Sequence, residues 1–173
     1  MDLKKYIRNI PDFPKKGIIF RDITTLIKDD RAFSYVIDTF HERYRTERIK
    51  LVAGIESRGF IFGGALAYAL GVGFVPIRKK GKLPAETISE TYSLEYGTDT
   101  LEIHKDAIQK GDRVLLVDDL IATGGSLLAA SNLIEKLGGE IVEVAVVIEL
   151  VDLGGRDKIA PRKLFSLVQF EGA

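Results

Sequence analysis

Val114-Leu-Leu-Val-Asp-Asp-Leu-Ile-Ala-Thr-Gly-Gly-Ser126 decides how this chain is read. The apolar run 114–117 has the continuous hydrophobicity of a strand buried on both faces. Asp118 and Asp119 follow, where that strand is expected to end. Ala122-Thr-Gly-Gly-Ser126 is a turn of small residues that opens a helical pattern. In open α/β sheets ligands bind beyond the carboxyl ends of the strands. Backbone N–H groups at a helix N-terminus attract anions, and glycines let a phosphate come close to them. The segment therefore offers two acceptors for hydroxyls or a metal beside a cradle for a phosphate. A phosphorylated sugar has that chemistry. Gly-Gly alone would be ordinary turn chemistry. Two acids directly before the turn set this run apart.

Other phosphate sites fit less well. The chain has no G-x-x-x-x-G-K-[ST], and no G-x-G-x-x-G after a strand. A receiver domain carries acids at strand ends but leaves the following turn unexplained. Neither G-x-S-x-G nor H-E-x-x-H occurs, so hydrolase triads and zincins have no support. His41 and His104 read as structural.

Outward from this segment, strands and helices alternate. Strands are expected at 51–55, 74–77, 114–117, 141–150 and 164–170. Helices are expected at 2–9, capped by Asp2, and from Asp30 onward, with Phe33, Val36, Ile37, Phe40 and Tyr44 on one face. Two more are expected at 58–70, ended by Gly71, and at 126–137, closed by Gly138-Gly139. Residues 79–90 read as a loop, and 91–103 as an antiparallel hairpin turning near Gly97 and Asp99. The alternation from 51 to 150 predicts an α/β fold, a mostly parallel twisted sheet flanked by helices. Residues 1–30 and 79–103 fall outside that repeat. They are expected to form a hood and a flexible β lid over the ligand, within a single domain spanning 1–173.

A length of 173 residues suffices for one substantial core. Twenty-five basic side chains balance twenty-five acidic ones, so no global charge points to nucleic acid or an anionic membrane. The absence of cysteine excludes disulfides, thiolate catalysis and Cys-type zinc sites, and fits a cytoplasmic protein. The N-terminus has no signal-peptide core, and no apolar run is long enough to span a membrane.

Two further segments carry charge suited to anions. In Gly54-Ile-Glu-Ser-Arg-Gly-Phe60, Arg58 opens a helix, where the macrodipole disfavours a cation. A surface pair with Glu56 is worth only about 0–1 kcal/mol. An anion at that helix end would gain from both Arg58 and the backbone N–H groups. Arg78-Lys-Lys-Gly-Lys-Leu-Pro84 is a basic cluster beside the loop, and beside two anion sites it can close over a polyanion.

The 114–126 run resembles the signature of the phosphoribosyltransferases, which bind 5-phosphoribosyl 1-pyrophosphate (PRPP). Gly17-Ile-Ile-Phe-Arg-Asp-Ile23, the 54–60 and 78–84 segments and Tyr92-Ser-Leu-Glu-Tyr-Gly97 narrow the likeness to the adenine phosphoribosyltransferase family, over nearly the whole chain. That resemblance implies a transfer of phosphoribosyl from PRPP to N9 of adenine, giving AMP and pyrophosphate. It places Asp118 and Asp119 on the ribose hydroxyls, and Ala122, Thr123, Gly124, Gly125 and Ser126 on the 5′-phosphate. Glu56, Ser57, Arg58, Lys79 and Lys82 are assigned to pyrophosphate. Ile19, Phe20 and Arg21 are assigned to adenine. Glu95 and Arg58 are the implied catalytic groups. Mg²⁺ is expected, held mainly by substrate oxygens and water rather than by a dedicated protein site. The partners implied are the small-molecule substrates and a second copy in a homodimer, with no nucleic acid and no membrane. Two alternatives stay open: a phosphoribosyltransferase for another base, and a non-catalytic nucleotide sensor on the same fold.

Overall fold

The computed structural model describes residues 1–94 and 96–172. Its framework is a seven-stranded sheet in the order β5-β6-β4-β3-β7-β8-β9. The parallel part comprises β3 (Leu51–Ile55), β4 (Gly73–Lys79), β7 (Arg113–Ile121), β8 (Glu140–Leu150) and β9 (Leu164–Phe170). The hairpin of β5 (Thr87–Ser93) and β6 (Thr98–His104) joins antiparallel to β4. Side chains alternate between two cores. Val52, Leu115, Val117, Ala145 and Val147 face α2 (Asp30–Tyr44) and α3 (Arg58–Leu70). Ala53, Val114, Leu116, Val144 and Val146 face α4 (Gly125–Lys136). Both faces are covered, which is why these strands are apolar without interruption.

The connections explain where the site lies. The chain leaves β3 through α3 and returns in β4 on one side, and leaves β7 through α4 and returns in β8 on the other. Neighbours β3 and β7 thus send their loops in opposite directions, and a crevice opens between their carboxyl ends.

Several local expectations are corrected. The N-terminal helix is a single 3₁₀ turn, Leu3–Tyr6, although Asp2 does cap it, accepting from the Lys4 N–H at 3.3 Å. Beyond it the chain extends as β1 (Arg8–Pro11), antiparallel to β2 (Ile19–Asp22). A cross-strand partner outweighs local propensity there: both Arg8 Nε and Nη2 donate to Asp22, at 2.9 and 2.5 Å. A short helix, α1 (Thr24–Lys28), precedes α2. The hairpin begins at Thr87, so part of the expected 79–90 loop is strand. Its threonines favour extended chain, and Thr91 and Thr100 hydroxyls meet across the pair at 3.0 Å. Strand β7 continues through Ile121, because the long β8 goes on pairing with it as far as Glu149. Asp118 and Asp119 therefore lie within the ladder rather than after it. A short helix, α5 (Gly155–Ile159), is an addition. No helix among the described residues is long and apolar enough to cross a membrane.

Asp22 fastens the β1–β2 ribbon to the chain that follows. It accepts from the Thr24 N–H at 2.9 Å and the Thr24 hydroxyl at 2.6 Å, besides Arg8. Hydrogen bonds from Thr24, then those from Arg8, lower its carboxyl from 3.8 to about 2. A depressed carboxyl stabilises the fold above its unfolded value and ceases to do so as pH falls through the folded one. Asp22→Asn should therefore cost about 1.5–3 kcal/mol at neutral pH. In urea titrations, the gap between wild type and variant should stay constant above 3.8 and shrink toward about 2. A gap insensitive to pH would show that the charge contributes nothing.

Candidate functional site

The crevice is a cavity of about 730 Å³, within the range of small-molecule sites. Its wall brings together Phe20 and Arg21 from β2, Glu56, Ser57 and Arg58 between β3 and α3, and Lys79 at the end of β4. Asp118 and Asp119 of β7 and all of 122–126 complete it. Ile19 and Lys82 do not line it, and Lys82 is exposed in a turn where its N–H donates to the Lys79 carbonyl at 3.2 Å. Glu95 lies outside the described residues. Sequence reasoning missed Tyr92, Ser93 and Leu94 of the hairpin, and Lys158 of α5, all of which line the cavity.

Asp118 and Asp119 are 8% and 7% exposed. Arg58 Nε donates to Asp119 Oδ2 at 2.6 Å, and that carboxylate raises the affinity of the guanidinium for its proton. An acidic partner accounts for the arginine in the first turn of α3, but it is Asp119 rather than Glu56. Glu56 instead accepts from Arg78 Nε at 3.2 Å and the Lys79 N–H at 2.8 Å. Burial, followed by the charge of Asp119, pushes the Asp118 carboxyl well above its usual value. Asp118 Oδ1 accepts from the Asp119 N–H at 2.9 Å. The helix can come this close only because residue 59 is glycine: a Cβ there would stand 2.9 Å from Asp118 Oδ1.

Within the 122–126 segment Gly124 caps α4, at φ 88° in the left-handed region that glycine occupies without strain. It supplies no side-chain cap to α4. The first-turn N–H groups of Gly125, Ser126 and Leu127 have no acceptor within the helix and point out of its end. The ring of Tyr92 lies against Gly125, where a Cβ would be 3.3 Å from Cδ2. Lys79 Nζ pairs with Asp99 at 2.8 Å, so the β4 cation is tied to the hairpin. The Phe20 ring meets that of Phe13 edge-on, with centroids 5.2 Å apart. The crevice combines a donor-rich helix end, two acids behind it, and cations on its other walls. No group of three or more His, Cys, Asp or Glu side chains suited to a metal occurs among the described residues. The two carboxylates present are a donor set for a hard cation that brings most of its oxygen ligands with it.

Comparison with known proteins gives the family. The phosphoribosyl transferase domain model matches residues 25–171. An adenine phosphoribosyltransferase from Desulfosudis oleivorans is 59% identical, over 99% of each chain. The crystal structure of the adenine phosphoribosyltransferase from Thermoanaerobacter pseudethanolicus superposes with a TM-score of 0.94 at 53% identity, covering 98% of both chains. That from Saccharomyces cerevisiae, complexed with an imino-altritol bisphosphate and adenine, gives 0.92 at 45%, over 96% of this chain and 97% of that one. The chain belongs to the phosphoribosyltransferase family, in its adenine phosphoribosyltransferase branch.

The raised carboxyl of Asp118 has a consequence for stability. A carboxyl whose folded value is raised stabilises the fold fully below its unfolded value, and that contribution drains away as pH rises through the folded one. At neutral pH an ionised Asp118 therefore costs stability. Asp118→Asn should melt higher than wild type at neutral pH, with the difference vanishing in acid, while kcat/KM with PRPP falls. A variant that melts lower at neutral pH would contradict the burial argument. One with unchanged kcat/KM would remove Asp118 from the site.

Proposed function

We propose that this cavity takes PRPP and adenine, joins N9 of the base to C1′ of the ribose, and releases pyrophosphate. One observation carries the reading: the buried Asp118–Asp119 pair and the uncapped 122–126 turn line the same crevice as Arg58. The high-identity relatives are adenine phosphoribosyltransferases, which supports the same chemistry. The carboxylates accept from the ribose hydroxyls. Residues 122–126 hold the 5′-phosphate, and Glu56, Ser57, Arg58, Lys79 and Lys82 address the pyrophosphate. As the N9–C1′ bond forms, the C1′–O bond breaks and its electron pair leaves with pyrophosphate. The N9 proton passes to water, and Glu95, which we assign to the N7 side of the base, is the proton-handling group. Positive charge gathers on the ribose, where the acids stabilise it, and negative charge gathers on the leaving group, where the cations do. Mg²⁺ supplies further neutralisation when it enters with the pyrophosphate oxygens, and Asp118 and Asp119 are the carboxylates that would meet it through water.

Residues 79–103 serve as the lid and 1–30 as the hood. The enzyme works in the cytoplasm as a homodimer. Tyr68, 90% exposed, and Ile61 stand seven residues apart on one face of α3, a surface suited to a second subunit.

The ladder of β1 and β2 supports backbone reading of adenine. Pro11 has no N–H, so its pairing with Ile19 is of the non-hydrogen-bonded kind, and by alternation so is Asn9 with Arg21. Ile19 and Arg21 thus carry their N–H and C=O on the edge away from β1. The Arg21 side chain is engaged elsewhere, donating to Asn9 Oδ1 at 2.7 Å with its guanidinium 4.2 Å from the Phe170 ring centroid. Adenine presents an N6 donor beside an N1 acceptor. Hypoxanthine and guanine reverse both, and a fixed peptide cannot rotate to follow them.

An HPLC assay with PRPP, Mg²⁺ and four competing bases should therefore show adenine preferred over hypoxanthine, guanine and xanthine by roughly 10⁴-fold. Arg21→Ala should leave that preference nearly unchanged. Conversion of hypoxanthine or guanine within tenfold of adenine would refute both the backbone reading and the base.

A further inference from the structure

Four cationic residues line the cavity: Arg21, Arg58, Lys79 and Lys158. Three of them are engaged. Arg21 lies against Phe170 and Asn9, Arg58 on Asp119, and Lys79 on Asp99. Lys158 alone has no side-chain hydrogen bond, ion pair or ring contact among the described residues, although it lines the crevice and is exposed.

Its carrier, α5, is built against the phosphate turn. A Cβ on Gly155 would stand 2.6 Å from the Ala122 carbonyl oxygen and 2.7 Å from Ile121 Cγ1. A Cβ on Gly124 would stand 2.9 Å from the Gly155 carbonyl oxygen. The two backbones touch, and both contact positions are glycine. Arg156 locks α5 from its other side. It forks onto Glu149 with Nε at 3.0 Å and Nη2 at 2.6 Å, and donates from Nη1 to the Leu164 carbonyl at 2.9 Å. Glu149, 4% exposed, also accepts from Ser166 at 2.7 Å and Gln169 at 3.3 Å. Burial pushes the Glu149 carboxyl up, but Arg156, Ser166 and Gln169 outweigh it, so it stays ionised and holds the fork. Lys158 follows Arg156 by two residues, with its own N–H donating to the Gly154 carbonyl at 3.2 Å. A lysine without a side-chain partner is thus carried by a short helix whose backbone is fixed against the 122–126 turn.

We infer that Lys158 is a binding residue for the 5′-phosphate of both PRPP and the nucleotide product, supplying the charge that the N–H groups of the turn lack. The inference rests on the function proposed above and assigns one more residue to it. It separates the two anion subsites by charge source: α5 abuts the 5′-phosphate turn, whereas Arg58 and Lys79 belong to the pyrophosphate side. A mobile lysine suits this task because a terminal phosphate presents oxygens in several directions and needs a point charge rather than a planar fork.

The test is calorimetric titration of wild type, Lys158→Gln and Lys158→Arg with AMP, adenosine and pyrophosphate. Lys158 is exposed, so the variants should melt as wild type does. Lys158→Gln should weaken AMP by about tenfold or more, the size of one charge-assisted contact. Adenosine and pyrophosphate should bind within twofold of wild type, and Lys158→Arg should recover most of the AMP affinity. In turnover, KM for PRPP should rise more than kcat falls. Unchanged AMP affinity in Lys158→Gln would overturn the inference, as would equal losses for AMP and adenosine or a loss confined to pyrophosphate. A wild-type protein that binds neither AMP nor PRPP would instead defeat the functional reading.

Discussion

The contact between Arg58 and Asp119 is the one on which the site turns. Two carboxylates inside an interior strand of a sheet are expensive, because burial penalises their charge and each raises the cost of the other. The structure meets that cost on one side only. Arg58 neutralises Asp119 at 2.6 Å, while Asp118 is left with a backbone N–H and a carboxyl that resists ionisation. To deliver the guanidinium, α3 must start almost on top of β7, and that closeness requires Gly59. The acids, the arginine and the glycine thus form a single constraint. A sugar with hydroxyls to donate and a cationic ring in its transition state would relieve the strain between the acids.

The order of strands does the rest. Because β3 and β7 are neighbours whose helices run off to opposite sides, the turns at 56–58 and 122–126 face each other with nothing between them. A ligand with an anion at each end can span the gap. The hairpin adds one wall through Tyr92, and α5 adds another through Lys158, neither of which belongs to the parallel repeat. Charge is shared unequally across this opening. Two of the four cations there already have acidic partners in the protein, so a polyanion entering the crevice must compete for Arg58 and Lys79 but not for Lys158.

Much of this was legible in the sequence, for physical reasons that differ between segments. Strands buried on both faces read as apolar runs, and helices that close on Gly71 and Gly138 announce their ends, so β3, α3, α4 and β8 were read almost to the residue, and β7 was read except for its last four residues. Asp118, Asp119 and the 122–126 turn were read together because they are contiguous. The β1–β2 ribbon was not legible. Arg8-Asn-Ile-Pro11 has too little pattern to announce a strand, and its extended form depends on Asp22, fourteen residues on. Helix α5 is a five-residue turn whose role comes from touching Ala122, a contact between distant segments. The pair Gly154-Gly155 before three charged residues was its only trace, a hint of close backbone approach followed by a presented cation.

The stacking of Arg21 on Phe170 ties the β1–β2 ribbon to the outermost parallel strand. On a ribosome the ribbon emerges long before that ring exists. At ordinary elongation rates the delay is on the order of 10 s. During that time Arg21 has no aromatic face to lie on, and β9 is not yet there to cover Glu149. The contact that fastens the ribbon to the sheet can close only once β9 is in place.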